Sequence, residues 1–444
     1  MSYVSILEDA IETNQKIQKK QKKKYVQNDM IKILENFIRE KGLVCYGGIA
    51  INSILPASKK FYDKQLDIPD YDFFSPNALE DAKELALIYA KSGYENVEAK
   101  SALFHGTYKV FVNFIPIADI TYLDTTIFNI IQNKAILVKN ILYAPPSYLR
   151  MSLYQELSRP YGDLSRWQKI YNRLTLLNET HPFQHDVDLT QNNLIYNEVY
   201  DKLVDICVKQ KYVLFGDFGL SFYKDYFPNK YKKIIDSKQT KQIYILSDNY
   251  KDVLKQLKSI KYTLIQHEGD YKFINSFYEV VIEGQSMLYI FTTNSCQSFN
   301  IIKHKGKPYH IATIDTILSM YYAFNFINES TINMVNILSY CYLLETIHSN
   351  NKTNVLMRFY LPCIGHQTTI EDIRKERDQK YTRYKKNKKS DEYKRWFLKY
   401  YPKTRKKRVK FYILYVYNDK NFFKVLFTIQ TCSELYGQIR DNLF

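Results

Sequence analysis

The stretch Pro69-Asp70-Tyr71-Asp72-Phe73-Phe74-Ser75 decides how this chain is read. Aromatic residues favour strands, and Asp does not. Side chains alternate along a strand, so Asp70 and Asp72 share one face while Tyr71 and Phe73 enter a core. Two like charges side by side repel, and a bound cation relieves the repulsion. Hard divalent ions such as Mg²⁺ take carboxylate oxygens as ligands. A third acid, Asp119, interrupts the apolar run Phe114-Ile115-Pro116-Ile117-Ala118-Asp119-Ile120. If the two strands are neighbours, the three carboxylates converge. Two ions about 3.5–4 Å apart can then clamp the attacking and leaving oxygens of an in-line displacement.

Upstream, Ile31, Leu34, Phe37 and Ile38 fall on one face at helical spacing, and Gly42 ends that helix. A short strand, 43–46, leads to Gly47-Gly48 and a short helix over 49–55. A helix N-terminus there suits a triphosphate. Downstream come a helix over 78–91 and strand-like runs over 102–113 and 117–123. A long helical region over 147–177 follows, broken near Pro160-Tyr161-Gly162. The order then recurs: a helix over 197–208, a strand over 212–215, Gly216-Asp217-Phe218-Gly219, and strands over 242–246, 263–274, 278–282 and 287–292. A period of roughly 170 residues is far beyond a solenoid repeat and implies a duplicated domain.

After Pro362 the composition changes. Between Ile370 and Lys410, eighteen Lys and Arg face six acids, interleaved with aromatic residues such as Tyr381, Tyr393 and Trp396. Lysine and arginine neutralise phosphates without sequence preference, and aromatic rings stack bases. Lys385, Lys386, Lys388, Lys389, Arg405, Lys406, Lys407 and Arg408 are the RNA-binding candidates. Two strand-like runs, 409–417 and 422–428, form a hairpin. The whole chain of 444 residues carries a formal charge of +17, which favours a polyanionic partner. Six scattered cysteines without a C-x-x-C pair fit reduced, buried thiols in an intracellular protein. The start has no apolar signal region, and no apolar run approaches the roughly 20 residues that span a bilayer, so no membrane is expected.

Asp217-Phe218-Gly219 spells a kinase motif, but no Gly-rich loop or H-R-D run accompanies it. Cys296 with His304 and His310, or Cys363 with His366, are poorly spaced for zinc.

Helix, strand, Gly-Gly, short helix, D-x-D and a further acidic strand, in that order, resemble the DNA polymerase beta-like nucleotidyltransferase superfamily. Within it the chain is similar to the catalytic subunits of poxvirus and giant-virus poly(A) polymerases. Tyr46-Gly47-Gly48-Ile49-Ala50, Pro69 to Ser75, Ala118-Asp119-Ile120, Ser158-Arg159-Pro160 and Arg166-Trp167-Gln168-Lys169 carry the likeness. It implies an α+β fold of tandem nucleotidyltransferase-like domains, each a mixed sheet flanked by helices, the second degenerate. By pattern, Ile243 and Ile245 stand where Asp70 and Asp72 stand, and Leu288-Tyr289-Ile290 replaces Ala118-Asp119-Ile120.

The expected division is an N-terminal helical segment (1–40), a catalytic domain (41–185), a degenerate copy (186–362) and a basic extension (363–444). The resemblance implies that Asp70 and Asp72 hold two Mg²⁺ or Mn²⁺ ions, completed by Asp119. It implies that Gly47 and Gly48 meet the triphosphate of ATP, with Arg166 and Lys169 on its phosphates. The implied reaction adds AMP from ATP to an RNA 3′ end. Rival readings are a CCA-adding or oligoadenylate-type enzyme, and a silent RNA-binding scaffold. A homodimer or a separate processivity subunit, and a cytoplasmic site (a viral factory or the virion), complete the expectations.

Overall fold

The structure is a computed structural model. It describes residues 3–24, 28–62, 71–188, 198–236, 242–269, 274–293, 295–326, 334–349, 362–403, 410–418 and 421–429. Two mixed sheets flanked by helices account for most of it, as the resemblance implies.

The first sheet contains β1 (Val44–Cys45), β2 (Tyr71–Ser75), β3 (Val97–Ser101), β4 (Thr107–Val112), β5 (Ile115–Tyr122), β6 (Ile136–Val138) and β7 (Ile141–Tyr143). The second contains β8 (Val213–Phe215), β9 (Ile243–Ser247), β10 (Thr263–His267), β11 (Phe277–Ile282), β12 (Gln285–Thr292), β13 (Gln297–His304) and β14 (Lys307–Ala312). In space the first runs β3-β4-β5-β2-β1-β7-β6 and the second β10-β11-β12-β9-β8-β14-β13. The orders superimpose strand for strand, so the repeat is one fold built twice.

The chain after Pro362 ties the two together. Its first strand, β15 (Cys363–Ile364), adds to β13 of the second sheet. The helices Ile370–Tyr384 and Asp391–Phe397 follow, and then β16 (Lys399–Tyr400) adds to the β3 edge of the first sheet. The hairpin expected near the end is present as β17 (Lys410–Asn418) and β18 (Asn421–Ile429).

Alternation explains the layering. In β4 every second residue, Tyr108, Val110 and Val112, is buried beneath the helix Ala78–Lys91. The helix Asn28–Lys41 buries Leu34, Phe37 and Ile38 as read from the sequence, with Met30 buried in place of the half-buried Ile31. The two halves meet through the helices Pro146–Leu157 and Ile314–Phe324. Arg150 lies at that junction, 2% exposed, donating from Nε to Asn178 Oδ1 at 2.7 Å and from its terminal nitrogen to the carbonyl of His181. Glu345, 3.8 Å from Arg150, accepts from Tyr154 and Tyr322.

The expectation of six reduced thiols is overturned. Cys296 and Cys363 form a disulfide, so they are neither reduced thiols nor zinc ligands. Register brings them together: Gln297 and Ser298 pair with Ile364 and Cys363. Cys45, Cys207 and Cys341 are buried free thiols, and Cys432 lies outside the described residues. Among the described residues no helix is long and apolar enough to cross a membrane.

Candidate active site

β2 and β5 run parallel, with Asp72 directly opposite Asp119. Opposed residues in neighbouring strands point to the same face, so these carboxylates sit side by side. Behind them Tyr71 and Phe73 are buried, and the Tyr71 hydroxyl donates to Glu35 Oε1 at 2.6 Å. Asp70 lies outside the described residues.

β1 delivers the chain to the helix Gly47–Ile54, whose first residues are the glycine pair. Gly47 has a φ of +68°, a conformation that L side chains rarely adopt. A Cβ on it would lie 3.0 Å from Asp72 Oδ2, so the missing side chain leaves room for that carboxylate. The turn is clamped by Tyr46, which stacks on Phe74 with ring centroids 3.9 Å apart and shares a 2.9 Å hydrogen bond with Thr121 Oγ1.

The donor set fits a divalent cation. Asp119 pairs through Oδ2 with Lys109, its direct neighbour on β4, while its Oδ1 is buried without a hydrogen-bond partner. A buried, orphaned carboxylate oxygen beside a second carboxylate is an arrangement that a hard ion completes. Among the described residues no three acids, histidines or cysteines form a metal cluster.

Of the two residues expected on the phosphates, Arg166 is exposed and pairs with Glu156 at 3.2 Å. Lys169 is exposed on the helix Trp167–Thr180. The side chain that reaches the glycines is Arg173, one turn further on, which the sequence reading passed over. A Cβ on Gly48 would lie 2.8 and 2.9 Å from the two terminal nitrogens of Arg173 and 2.5 Å from the Tyr62 hydroxyl. Arg173 is 9% exposed, stands over the Phe61 ring at 4.8 Å and donates to Tyr62 Oη at 3.2 Å. Among the described residues no carboxylate lies within ion-pair distance of it. A buried guanidinium at the positive end of a helix is a strong attractor for an anion. Burial pushes the Glu156 carboxyl above its usual range, against the pull of Arg166, Arg159 and Arg173. Three arginines thus gather around one carboxyl whose burial disfavours its charged form.

The second sheet shows the same site filled in. Gly216 repeats the left-handed turn with a φ of +70°, and a Cβ on it would meet Tyr244 at 2.6 Å. Leu214 pairs with Ile245 as Cys45 pairs with Phe73, so Tyr244 stands where Asp72 stands. Tyr244 in turn lies opposite Tyr289, the counterpart of Asp119. This corrects the sequence reading by one residue: Ile243 and Ile245 match Tyr71 and Phe73. The two tyrosine rings, 4.9 Å apart, occupy the space of the acids.

Lys385, Lys386, Lys388 and Lys389 form an exposed basic turn after the helix Ile370–Tyr384, and Arg405, Lys406, Lys407 and Arg408 lie outside the described residues.

Sheet order, glycine turn and acid pair define a nucleotidyltransferase fold present twice, with the acids in the first copy only. Residues 32–163 match the family model described as "Poly(A) polymerase catalytic subunit". About a third of the chain is similar to proteins described as "Putative poly(A) polymerase catalytic subunit". One, from African swine fever virus (strain Badajoz 1971 Vero-adapted), is 32% identical over 158 residues, 34% of this chain and 33% of that protein. Another, from Acanthamoeba polyphaga mimivirus, is 30% identical over 164 residues, 36% of this chain and 28% of that protein. The matched region spans about a third of the length of these relatives. The crystal structure of the Megavirus polyadenylate synthase superimposes with a TM-score of 0.70 at 19% identity, covering 86% of this chain and 84% of that one. That likeness shows the fold, and extends it across both copies.

Proposed function

We propose that the chain is a template-independent poly(A) polymerase that transfers AMP from ATP to the 3′ end of mRNA. The observation that carries this is the contrast between the copies: carboxylates at Asp72 and Asp119 in the first, tyrosines at the same register positions in the second. The match of residues 32–163 to the family model and the likeness to viral proteins described as "Putative poly(A) polymerase catalytic subunit" support the choice of reaction.

In that reaction the RNA 3′-oxygen bonds to the α-phosphorus of ATP, the bond to the bridging oxygen breaks, pyrophosphate leaves and the hydroxyl proton is released. Asp72 and Asp119, with Asp70, would hold the Mg²⁺ or Mn²⁺ ions. Bound there, such ions stabilise the charge on the transferring phosphoryl group and lower the pKa of the attacking hydroxyl. The backbone N–H groups opening the helix Gly47–Ile54 and the Arg173 guanidinium bind the triphosphate. Gly48 lets both approach the same oxygens. Lys109 balances Asp119 and keeps that carboxylate aimed across the strands. The basic extension binds RNA. Such an enzyme works where transcripts are made, in the cytoplasm for a virus that transcribes there.

Incorporation of each of the four labelled nucleoside triphosphates into a short RNA primer, with Mg²⁺ or Mn²⁺, tests the proposal. Long adenylate tails from the wild type and none from Asp72→Asn/Asp119→Asn are expected. Equal activity of both proteins would sink the site assignment. Equal use of several nucleotides, or a tail of fixed short length, would favour a CCA-adding or oligoadenylate-type enzyme.

A further inference from the structure

Reading the first sheet across its strands, rather than along them, places five charged residues in one row. Lys399 on β16 lies opposite Lys100 on β3, Lys100 opposite Lys109 on β4, Lys109 opposite Asp119 on β5, and Asp119 opposite Asp72 on β2. Direct opposition puts all five on one face, and strands about 4.8 Å apart give the row a length of about 19 Å. The opposite face is the core: Ala99, Tyr108, Val110, Ala118 and Ile120 are buried.

Like charges directly opposite each other destabilise a sheet. Here Lys399 faces Lys100 and Lys100 faces Lys109; Glu98 Oε2, 3.0 Å from Lys100 Nζ, and Asp119 on Lys109 offset part of that repulsion, and Lys399 adds a third cation to the row. The half-buried Lys100 and Lys109 keep charged ends at the surface, with side chains 41% and 38% exposed. Lys399 is exposed.

The second copy provides an internal control. Its equivalent row is Ile265, Glu279, Tyr289 and Tyr244, read through the same pairings. No lysine stands in it, and among the described residues no strand is added beyond β10. A lysine row required by the fold would appear twice. This one appears only beside the acids, and its outermost member is supplied by the basic extension.

The row also has the right direction. The glycine turn and Arg173 lie on the β1 flank of Asp72, while the lysines lie on the β5 flank. A triphosphate on one flank leaves the other for the strand that carries the attacking 3′-oxygen. Two aromatic rings border the track: Phe111, 4.1 Å beneath the Lys100 ammonium, and the 55% exposed Tyr401 beside Lys399. Rings beside phosphate-binding cations are what single strands stack upon.

We propose that Lys399, Lys100 and Lys109 form a phosphate track that guides the backbone of single-stranded RNA across the sheet to the acid pair. The inference rests on the adenylate-transfer reading only for the choice of RNA as the polyanion.

The test is binding, measured without nucleotide: fluorescence anisotropy of a labelled single-stranded oligoadenylate on the full chain at a series of salt concentrations. Lys100→Gln/Lys399→Gln is compared with the wild type and with Lys202→Gln/Lys209→Gln, exposed lysines on the second copy's helix Glu198–Lys209 that match the change in net charge. Lys109 is left intact because it touches Asp119. Each phosphate contact on a single strand contributes about 0.7 to the slope of log K against log salt, so losing two lowers the slope by about 1.4 and weakens binding about 25-fold at about 0.1 M salt. The control pair should bind as the wild type does. Equal loss in both variants, an unchanged slope, or a wild type that binds no RNA would each overturn the track. Equal weakening towards polyglutamate would make the row a general anion surface and overturn the RNA assignment. A wild type that binds RNA through the row yet incorporates no adenylate would remove the enzymatic reading and leave the track standing.

Discussion

Gly47→Ala separates the chemistry of the acid pair from the stability of the fold. At a φ of +68° an alanine costs about 1–2 kcal/mol in backbone strain. Its Cβ would also sit 3.0 Å from Asp72 Oδ2, 3.7 Å from Cγ and 3.8 Å from Cβ. Only the first contact is too close, so the carboxylate must turn or retreat by a few tenths of an ångström. A misplacement of about 1 Å at a reacting centre costs about 100-fold, so this one should lower kcat about tenfold. Gly93→Ala is the matched control. Its φ is +96°, and no atom lies within 4 Å of the new methyl. Both variants should lose about 1–2 kcal/mol in urea denaturation, and only Gly47→Ala should slow adenylate incorporation at a temperature where both are folded. Equal slowing by Gly93→Ala would show that general stability governs the rate. Full activity of Gly47→Ala would show that the position of the Asp72 carboxylate does not matter, and the reasoning would fall.

Arg173→Gln should raise the KM for ATP by about 10-fold to 100-fold, the loss of one charge-assisted contact, with a smaller change in kcat; an unchanged KM in steady-state kinetics would remove Arg173 from the triphosphate site. Arg150→Met should destabilise the protein by about 3 kcal/mol, because it leaves Glu345 buried at the junction with its tyrosine partners but no cation; denaturation midpoints unchanged within error would show the pair to be dispensable. Two fewer thiols should titrate in the denatured protein before reduction than after, and Cys363→Ser should abolish that difference; equal titration would rule out the Cys296–Cys363 bond.

The positions of Asp72, Asp119 and Gly47 were legible because each rests on local rules: parity along a strand, an acid in an apolar run, a glycine between strand and helix. The end of the helix Ala78–Lys91 was legible for the same reason, with Gly93 after it. Arg173 was missed although it follows Arg166 and Lys169 at i+7 and i+4, the spacing of one helix face; the signal was present, and the motif stopped short of it. In the second copy the parity slipped by one residue. All five residues of β9 are buried, so no alternation of polar and apolar side chains marks which face is which. The Cys296–Cys363 bond and the lysine row were out of reach for another reason. Both depend on strands of two residues, β15 and β16, whose pairing is set by long-range packing rather than by their own sequence.

The two copies argue for a division of labour that neither shows alone. A metal site is costly to maintain without its ion, because adjacent carboxylates repel and their oxygens lack donors. The second copy relieves both strains by placing Tyr244 and Tyr289 in the gap, where Tyr244 packs with Phe215, Phe291 and Tyr289. The first copy keeps the strain, balancing Asp119 with Lys109 and leaving one oxygen unpaired. Where an acid became an aromatic ring, the lysine opposite became Glu279, held by His267 at 2.7 Å and by Ser286. Acid and lysine differ together between two copies of one fold, so the lysine goes with the acid pair and not with the architecture of the sheet.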